Sequence, residues 1–278
     1  MQARNRRLSR WADIFFNSCC VFFAMIAMGF LFSILVSLLI KGHHAISFDL
    51  FTQVTMPPGM VGGLANAIVG SLLMTLLALI IALPLGMAAA IYLVEFGAKT
   101  RLSHAIRFAN DVLLTTPSII IGLLLFIVLV KPLKHFSALA GALALVCIAF
   151  PMIVRTTEDV LYLVSPMLRE AALAVGLSYA KMINRVVLKS ARRGIITGAL
   201  LAMARIAGET APLLFTALSN QFFSFNLNHP MASLPVVIYR YGMSPYPRWQ
   251  ALAWSGALII TFSIVSLNLL ARYFSNRT

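Results

Sequence analysis

Residues 66–94 read NAIVGSLLMTLLALIIALPLGMAAAIYLV, a run that contains no charged side chain. Coiled as an α-helix, this run is long enough to cross the hydrocarbon core of a bilayer, which about 20 apolar residues span. Similar runs recur along the chain, at 14–40, 109–131, 136–154, 194–218 and 250–273. The pattern predicts an all-α, polytopic membrane protein with six transmembrane helices.

The composition of the chain favours a membrane protein over a soluble one. Hydrophobic residues make up 60% of the 278 residues, and the mean hydropathy is +0.91, whereas soluble domains contain about 45–50% apolar residues. The net charge of +14 would suit a nucleic-acid-binding protein, but the basic residues lie between membrane-length runs and form no continuous face. We therefore expect lipid around the chain and no nucleic-acid partner.

The distribution of Lys and Arg predicts the orientation of the spans, because basic residues concentrate on the cytoplasmic side of a membrane protein. Six spans place both termini on one side. That side collects most of the basic residues, from Arg4 and Lys99 through the stretch 155–193 to Arg277. The opposite side holds only Lys41, Lys131, Lys134, Arg240 and Arg248. We therefore expect both termini in the cytoplasm.

The first apolar run is longer than the hydrophobic region of a signal peptide, which has about 7–15 residues, so we interpret it as an uncleaved first span. The predicted division of the chain follows. Its segments are a basic N-terminus 1–13, a first transmembrane helix 14–40, a periplasmic loop 41–65, the main transmembrane domain 66–273 with a cytoplasmic loop 155–193, and a C-terminus 274–278.

Only residues 131–135 separate the third and fourth predicted spans. A tight turn there would make the two spans an antiparallel pair, and a re-entrant third segment is the alternative. Asp111 is expected to cap the third helix. Three prolines, Pro84, Pro117 and Pro212, lie within apolar runs, where neighbouring groups can satisfy the carbonyls that proline leaves free. They predict either bent helices around a pathway or simple packing kinks.

The loop 155–193 is too polar to span a membrane and contains signals for two short helices. Ser165 followed by Pro166 is a typical helix start, with an N-cap residue and a proline in the first turn. Gly176 suits the left-handed position that ends a helix, and Ser178 can cap the next one. The loop is therefore predicted to form a helix–turn–helix at the membrane surface.

Glu170-Ala171-Ala172 followed by Gly176 resembles the EAA motif of ABC-importer permeases. The resemblance implies that the loop forms coupling helices, which dock into a groove of an ATP-binding subunit. Two alanines let a helix approach its partner closely, and the flanking Arg169 and Glu170 can set the register by charge pairing. An ordinary amphipathic interfacial helix is the alternative interpretation.

Further stretches resemble the permease subunits of phosphate ABC importers in particular. The most distinctive runs from Gly194 to Thr216 and contains Ala204-Arg205-Ile-Ala-Gly208-Glu209-Thr210-Ala211-Pro212. The others are Gly62-Gly63-Leu-Ala-Asn66, Ala82-Leu-Pro84-Leu-Gly86, Thr116-Pro117-Ser118, Arg155-Thr156-Thr157-Glu158 and Leu234-Pro235-Val-Val-Ile238-Tyr239. Lys189 departs from the pattern, since it stands where the family usually has a proline.

The resemblance implies a type I ABC importer permease of the inner membrane that translocates phosphate. Its partners would be a PstB-like ATP-binding subunit, a homologous PstC-like second permease and a periplasmic PstS-like phosphate-binding protein. Glycine is never followed by lysine in the sequence, which excludes a P-loop, so we expect no enzyme activity and no cofactor. Three cysteines without metal-ligand spacing fall in apolar runs: Cys19, Cys20 and Cys147.

Arg205 and Glu209 are charged residues inside the predicted fifth span, four residues apart and hence on one helix face. A charge within a membrane costs about 2.5–3.5 kcal/mol to insert, so it usually faces a partner or a water-filled cavity. Guanidinium can bind two phosphate oxygens, which makes Arg205 a candidate anion contact. Glu209 would hold it or limit over-tight binding, and Thr210 could donate a hydroxyl. The alternative is an ion pair that only fixes helix packing or the contact with the second permease.

Three alternative functions compete with phosphate import. A permease for another oxyanion, such as molybdate or sulfate, would have the same composition, and only the family resemblance favours phosphate. A channel or secondary transporter that runs without ATP needs no docking helices, so the EAA-like loop argues against it. The intramembrane charged pair counts modestly against a membrane anchor or assembly factor.

Overall fold

A computed structural model describes residues 2–44, 46–97 and 100–275, with side chains from residue 13 onward apart from Ile14 and Ser275. Lys99 and Arg277, which contribute to the predicted basic side, lie outside the described residues. So do the side chains of Arg4, Arg6, Arg7 and Arg10.

All regular secondary structure in the described residues is helical. The α-helices are α1 (Gln2–His43), α2 (Phe48–Thr52), α3 (Ala65–Ile91), α4 (Arg101–Thr115), α5 (Ser118–Leu125), α6 (Lys131–Leu133), α7 (Ala138–Tyr162), α8 (Pro166–Ala174), α9 (Tyr179–Met182), α10 (Leu188–Ala207), α11 (Ala211–Thr216), α12 (Leu234–Gly242) and α13 (Pro247–Ser275). Three π-helical turns extend them. Tyr92–Phe96 follows α3, Phe126–Val130 joins α5 to α6, and Ile183–Val187 joins α9 to α10.

Four described helices are long and apolar enough to cross a membrane without a break: α1, α3, α7 and α13. The stretch from α4 to α6 is a fifth if it counts as one broken span. The fifth predicted span, 194–218, is occupied by α10 and α11. The prediction of an all-α, polytopic membrane protein is confirmed, and the six-span count is compatible with these helices.

The third span differs from its prediction because it is not one straight helix over 109–131. It starts earlier, at Arg101, and the two parts bend by 106° at the break between Thr115 and Ser118. Pro117 lies in this break and is the N-cap residue of α5, so the predicted bend at this proline is confirmed. Asp111 lies within α4 and does not cap it. The side chain of Thr100 does, by accepting a hydrogen bond from the backbone N–H of Ser103.

The fifth span is also broken. The helix α10 ends at Ala207 and α11 begins at Ala211, so Gly208, Glu209 and Thr210 form the connection. Pro212 stands in the first turn of α11, where a missing N–H costs no hydrogen bond, and it therefore produces no kink. Both broken spans pack together, because a Cβ atom built on Gly122 of α5 would lie only 2.7 Å from Cα of Pro212.

The predicted loop 155–193 is mostly helical, because α7 continues to Tyr162 and α10 begins at Leu188. Ser165 and Ser178 occupy the predicted N-cap positions, although neither side chain makes a capping hydrogen bond. Gly176 has φ +88°, as its predicted left-handed conformation requires. The loop therefore consists of α8 and α9, linked by a tight turn and continuous with α10.

The helix α3 packs closely on α7 because small residues line its buried face. Ala78, Ala82, Gly86 and Ala90 recur at every fourth position, which places them on one helix face, and all four are buried. A Cβ atom on Gly86 would lie 2.7 Å from Cγ2 of Ile153 in α7. Small residues of this kind drive helix association in membranes by letting the backbones approach.

The helix α10 meets α7 in the same way. A Cβ atom on Gly194 would lie 2.6 Å from Cγ1 of Val160, and one on Gly198 would lie 2.5 Å from Oγ1 of Thr156. These contacts place α10 antiparallel to α7, since 194 meets 160 and 198 meets 156. The helix α7 is therefore the central element, with α3 and α10 held on it by glycine contacts.

The opposite end of the bundle is held by the amide of Asn66, in the first turn of α3. Its Oδ1 accepts a hydrogen bond from the backbone N–H of Thr55 at 3.0 Å, and its Nδ2 donates to the backbone carbonyl of Asn220 at 2.9 Å.

The end of α1 is held by α13, because the Ser255 hydroxyl donates to the backbone carbonyl of Gly42 at 2.7 Å. From Phe15 to Leu35, α1 is mostly exposed, as a lipid-facing helix should be.

Replacing Gly86 by Leu should push α3 away from α7, because the Cβ atom of the new side chain already clashes with Ile153. Overpacking of this kind costs about 1–3 kcal/mol, so we expect a lower midpoint of thermal unfolding for the purified protein in detergent. The matched control is Gly29→Leu in α1, where a Cβ atom would meet nothing within 4 Å. Equal midpoints for the two variants would contradict the close α3–α7 contact.

Candidate coupling site and intramembrane charged pair

The position of α8 is set by Arg169, which reaches back into the bundle. Its Nη2 lies 3.0 Å from Oε1 of Glu95, and its Nε donates to the same oxygen at 3.1 Å. Glu95 lies in the π-helical turn after α3, and its side chain is only 4% exposed, compared with 18% for Arg169. The guanidinium also donates to the backbone carbonyls of Leu161 and Val164. One side chain therefore ties α8 to the ends of both α3 and α7.

Tyr179 adds a second link at the same carboxylate. Its hydroxyl donates to the backbone carbonyl of Glu95 at 3.1 Å and lies 3.3 Å from Oε2 of that residue, while its ring packs edge-on against Phe96. Burial and the adjacent Glu95 carboxylate both raise the pKa of the Tyr179 hydroxyl. The hydroxyl therefore stays protonated at neutral pH and remains a donor. The turn after α3 is held by both α8 and α9.

The predicted motif residues divide between two faces of α8. Glu170 and Ala171 are exposed, whereas Ala172 is buried against the bundle. Gly176 is exposed at the turn after α8. Arg169 differs from its prediction. Instead of remaining available for a partner's charge, it is engaged within the chain, because Glu95 and two carbonyls already accept its hydrogen bonds.

The outer side of α8 combines apolar and motif residues. Leu163, Met167 and Val175 each keep more than three quarters of their surface exposed, and they surround Glu170 and Ala171 in the chain. We call these five residues the docking face. An exposed apolar patch of this kind, rimmed by polar groups, typically marks an interaction surface.

Arg205 and Glu209 form the predicted ion pair, with 3.4 Å between Nη2 and Oε1. Their surroundings differ from those expected for a continuous helix, because Arg205 is in the last turn of α10 and Glu209 lies in the connection to α11. The Arg205 side chain is 60% exposed and that of Glu209 is 12% exposed. Thr210, half-buried, is the N-cap residue of α11 without a side-chain capping bond. The break therefore presents a guanidinium outward, backed by a largely buried carboxylate.

A second ion pair with a buried carboxylate joins α4 to α7, and the sequence alone did not indicate it. Nη2 of Arg107 lies 2.8 Å from Oε1 of Glu158 and donates to the Tyr162 hydroxyl at 2.9 Å. The sequence did contain a signal, since Glu158 is one of only eight acidic residues in the chain and stands in the stretch 155–158, which resembles the family. Its partner, 51 positions away, could be found only from the fold.

Comparison with known proteins identifies the family. Residues 82–278 match the family described as "Binding-protein-dependent transport system inner membrane component". The phosphate transport system permease protein PstA of Yersinia pestis is 52% identical over 240 residues, which cover 86% of this chain and 81% of that relative. The chain belongs to the PstA family. A relative in Methanocaldococcus jannaschii, described as a probable PstA, is 36% identical and covers 87% of this chain and 86% of its own length.

Solved structures of ABC transporters show the same fold. A chain of the inward-facing MetNI methionine transporter is 17% identical, with a TM-score of 0.61, and the match covers 77% of this chain and 93% of that chain. A chain of a bacterial alginate transporter is 16% identical, with a TM-score of 0.65, and the match covers 92% and 94%. The predicted ABC permease fold is therefore confirmed.

Membership in the PstA family defines the chain as the membrane component of a binding-protein-dependent transport system. Such a system includes a substrate-binding protein, and its ATP hydrolysis takes place on a separate ATP-binding subunit. The chain is therefore a transport subunit and not an enzyme.

Replacing Arg169 by Ala should release α8, because Glu95 would be left buried without its partner. Breaking a buried ion pair costs about 3–5 kcal/mol, and we expect faster hydrogen exchange at the amides of 166–174, measured by mass spectrometry. The matched control is Arg155→Ala, whose ion pair with Asp159 is 3.8 Å long and more than half exposed. A pair of that kind contributes at most about 1 kcal/mol. Unchanged exchange in Arg169→Ala would show that other contacts hold α8.

Proposed function

We propose that this chain is the permease subunit through which an ATP-driven importer translocates inorganic phosphate across the inner membrane. The observation that carries the proposal is the exposed Arg205 guanidinium at the break in the fifth span. The PstA relatives, named as permeases of phosphate transport systems, supply the substrate. The alternatives are another oxyanion, such as molybdate or sulfate, and an ATP-independent channel or secondary transporter.

The guanidinium of Arg205 is suited to contact an anion during its passage across the membrane. Guanidinium is always charged and presents parallel N–H donors that match two phosphate oxygens. Broken helices at membrane depth are tolerated where they line a cavity or a partner, and in transporters such breaks often form the substrate site. An ion pair that only fixed packing inside this subunit would be enclosed, whereas most of the Arg205 side chain is exposed.

Glu209 and Thr210 have supporting roles in this proposal. The Glu209 carboxylate, 3.4 Å from Arg205, holds the guanidinium in place and offsets part of its charge. Phosphate is therefore bound weakly enough to leave again, which conduction requires. Thr210 contributes a hydroxyl donor beside the same break.

Three partners complete the proposed importer. A PstC-like second permease covers the exposed side of Arg205, so that the path lies between the two permeases. A PstB-like ATP-binding subunit receives the docking face. A periplasmic PstS-like binding protein delivers phosphate at the opposite end, near the loop 217–233. The side with α8 and both termini is then cytoplasmic, because ATP is available only there.

Movement of the ATP-binding subunit reaches the path through rigid contacts in this scheme. Arg169 ties α8 to the ends of α3 and α7, and α9 continues through a π-helical turn into α10. A shift of the docking face therefore pulls on α10, whose last turn contains Arg205. The glycine contacts of α10 with α7 let the two helices move as packed bodies.

Arg205→Ala should abolish phosphate uptake while the chain still assembles with its ATP-binding subunit. Loss of the guanidinium removes the anion contact and leaves Glu209 to repel phosphate. Arg205→Lys should also be impaired, since ammonium lacks the bidentate geometry. The measurement is ATP-dependent uptake of radiolabelled phosphate by the reconstituted complex, with molybdate and sulfate as competitors.

The control for this experiment is Arg272→Ala in the last turn of α13, which removes an exposed arginine far along the chain from the break. It should transport normally. Normal uptake by Arg205→Ala would show that the ion pair serves packing alone. Equal uptake of molybdate or sulfate by the unaltered complex would instead identify another substrate.

Ala171→Arg should prevent the ATP-binding subunit from docking, because a long charged side chain would stand on the face where close approach is needed. We expect at least a tenfold lower yield of that subunit in co-purification. Ala105→Arg, which adds the same charge at an exposed position of α4, should leave the yield unchanged. Equal recovery with both variants would place the ATP-binding subunit elsewhere or exclude one altogether.

A further inference from the structure

A groove of about 710 Å³ lies between α3 and the start of α10. Its floor is apolar and includes Leu83 and Met87 of α3, together with Ile195 of α10. Its rim is basic and consists of Arg185, Lys189 and Arg192. Neither the docking face nor the Arg205 break includes any residue of this groove.

The helix contacts give the depth of the groove in the membrane. Gly86 meets Ile153 and Gly194 meets Val160. Gly141 of α7 also meets Met74 of α3, so α3 and α7 run in the same direction. Residue 194 is therefore level with about residue 93, just after the end of α3. The basic rim is therefore level with the end of α3 or beyond it. Leu83 and Met87 lie about 10–20 Å deeper at 1.5 Å per residue, within the apolar part of a bilayer.

The charges of the rim are not neutralised by the described part of the chain. The three rim cations are exposed, and no described carboxylate lies within ion-pair distance of them. Three of the acidic residues at this end already have other partners, and Glu170 lies on the docking face. Glu95 pairs with Arg169, Glu158 with Arg107 and Asp159 with Arg155. The three rim cations are therefore available to an anion from outside the chain.

We propose that this groove binds an anionic phospholipid of the leaflet on the α8 side. The headgroup phosphate is held by Lys189, Arg192 and Arg185, and an acyl chain lies along Leu83 and Met87. Basic pockets between membrane helices recognise lipid headgroups in this way. Free inorganic phosphate would contact only the basic rim. The apolar floor would still be covered by lipid, so a phospholipid accounts for both parts of the groove.

Lys189, at which the sequence departs from the family pattern, contributes one of the cations that hold the headgroup. A proline there would contribute no charge, whereas lysine adds a third cation within two turns of one helix. The bound lipid fills the space between α3 and α10 and stiffens the segment that connects α9 to the Arg205 break. Lipid composition would then influence transport independently of substrate binding.

The test uses the assembled transporter, purified in detergent and titrated with phosphatidylglycerol, with bound lipid counted by native mass spectrometry. Lys189→Gln/Arg192→Gln should weaken phosphatidylglycerol binding about tenfold, because each cation near the headgroup contributes separately. The charge-matched control is Arg101→Gln/Arg272→Gln, at the same end of the bundle, which should bind like the unaltered complex. Equal weakening in both variants, or in neither, overturns the proposal.

Two further arms use the unaltered complex and do not depend on a variant folding. Phosphatidylglycerol with a diazirine on its acyl chain should cross-link to peptides that contain 83–87 or 195–196. Lipid cross-links found only on α1 and α13 would contradict the assignment. So would cross-links showing that a second permease, and not lipid, occupies the groove.

Excess inorganic phosphate should not displace the lipid. Displacement would show that the rim recognises phosphate alone. Loss of phosphate transport in Arg205→Ala does not bear on any of these outcomes.

Discussion

The close approach of α3 to α7 is the contact on which the other features depend. In a bilayer, lipid is as apolar as a leucine side chain, so helices associate through close packing and polar contacts. The small residues on the buried face of α3 provide that packing, and Gly194 and Gly198 do the same for α10. Once these three helices are in register, Glu95 at the end of α3 comes within reach of Arg169. The segment formed by α8 and α9 is thereby attached to the centre of the bundle.

The ion pairs of the chain serve different purposes according to their burial. Glu95 and Glu158 are almost fully buried, and each pairs with an arginine that joins two elements. Such pairs hold the two elements in a fixed arrangement, because removing one partner would leave the other charge buried without compensation. The Arg205–Glu209 pair is asymmetric, with an exposed cation on a buried anion. Exposure of the cation leaves it available to an external anion, which a symmetric buried pair would not allow.

The basic residues also fall into separate groups with separate partners. Arg107 and Arg169 are satisfied inside the chain, Arg205 faces outward at the break, and the rim of the α3–α10 groove faces the membrane boundary. A net charge of +14 therefore does not describe one basic surface. It is the sum of cations paired inside the chain and exposed cations, which become distinct only when their neighbours are known.

The membrane class, the motif helix and the charged pair could all be predicted from the sequence, because they depend on local patterns. Apolar run length predicts spans, Ser165-Pro166 and Gly176 predict the ends of α8, and a spacing of four predicts the Arg205–Glu209 contact. Only the tertiary structure decided the size of the bend at Pro117, the break at Gly208, the inward turn of Arg169 and the pairing of Arg107 with Glu158. Each of them depends on which helix lies alongside, and no local pattern contains that information.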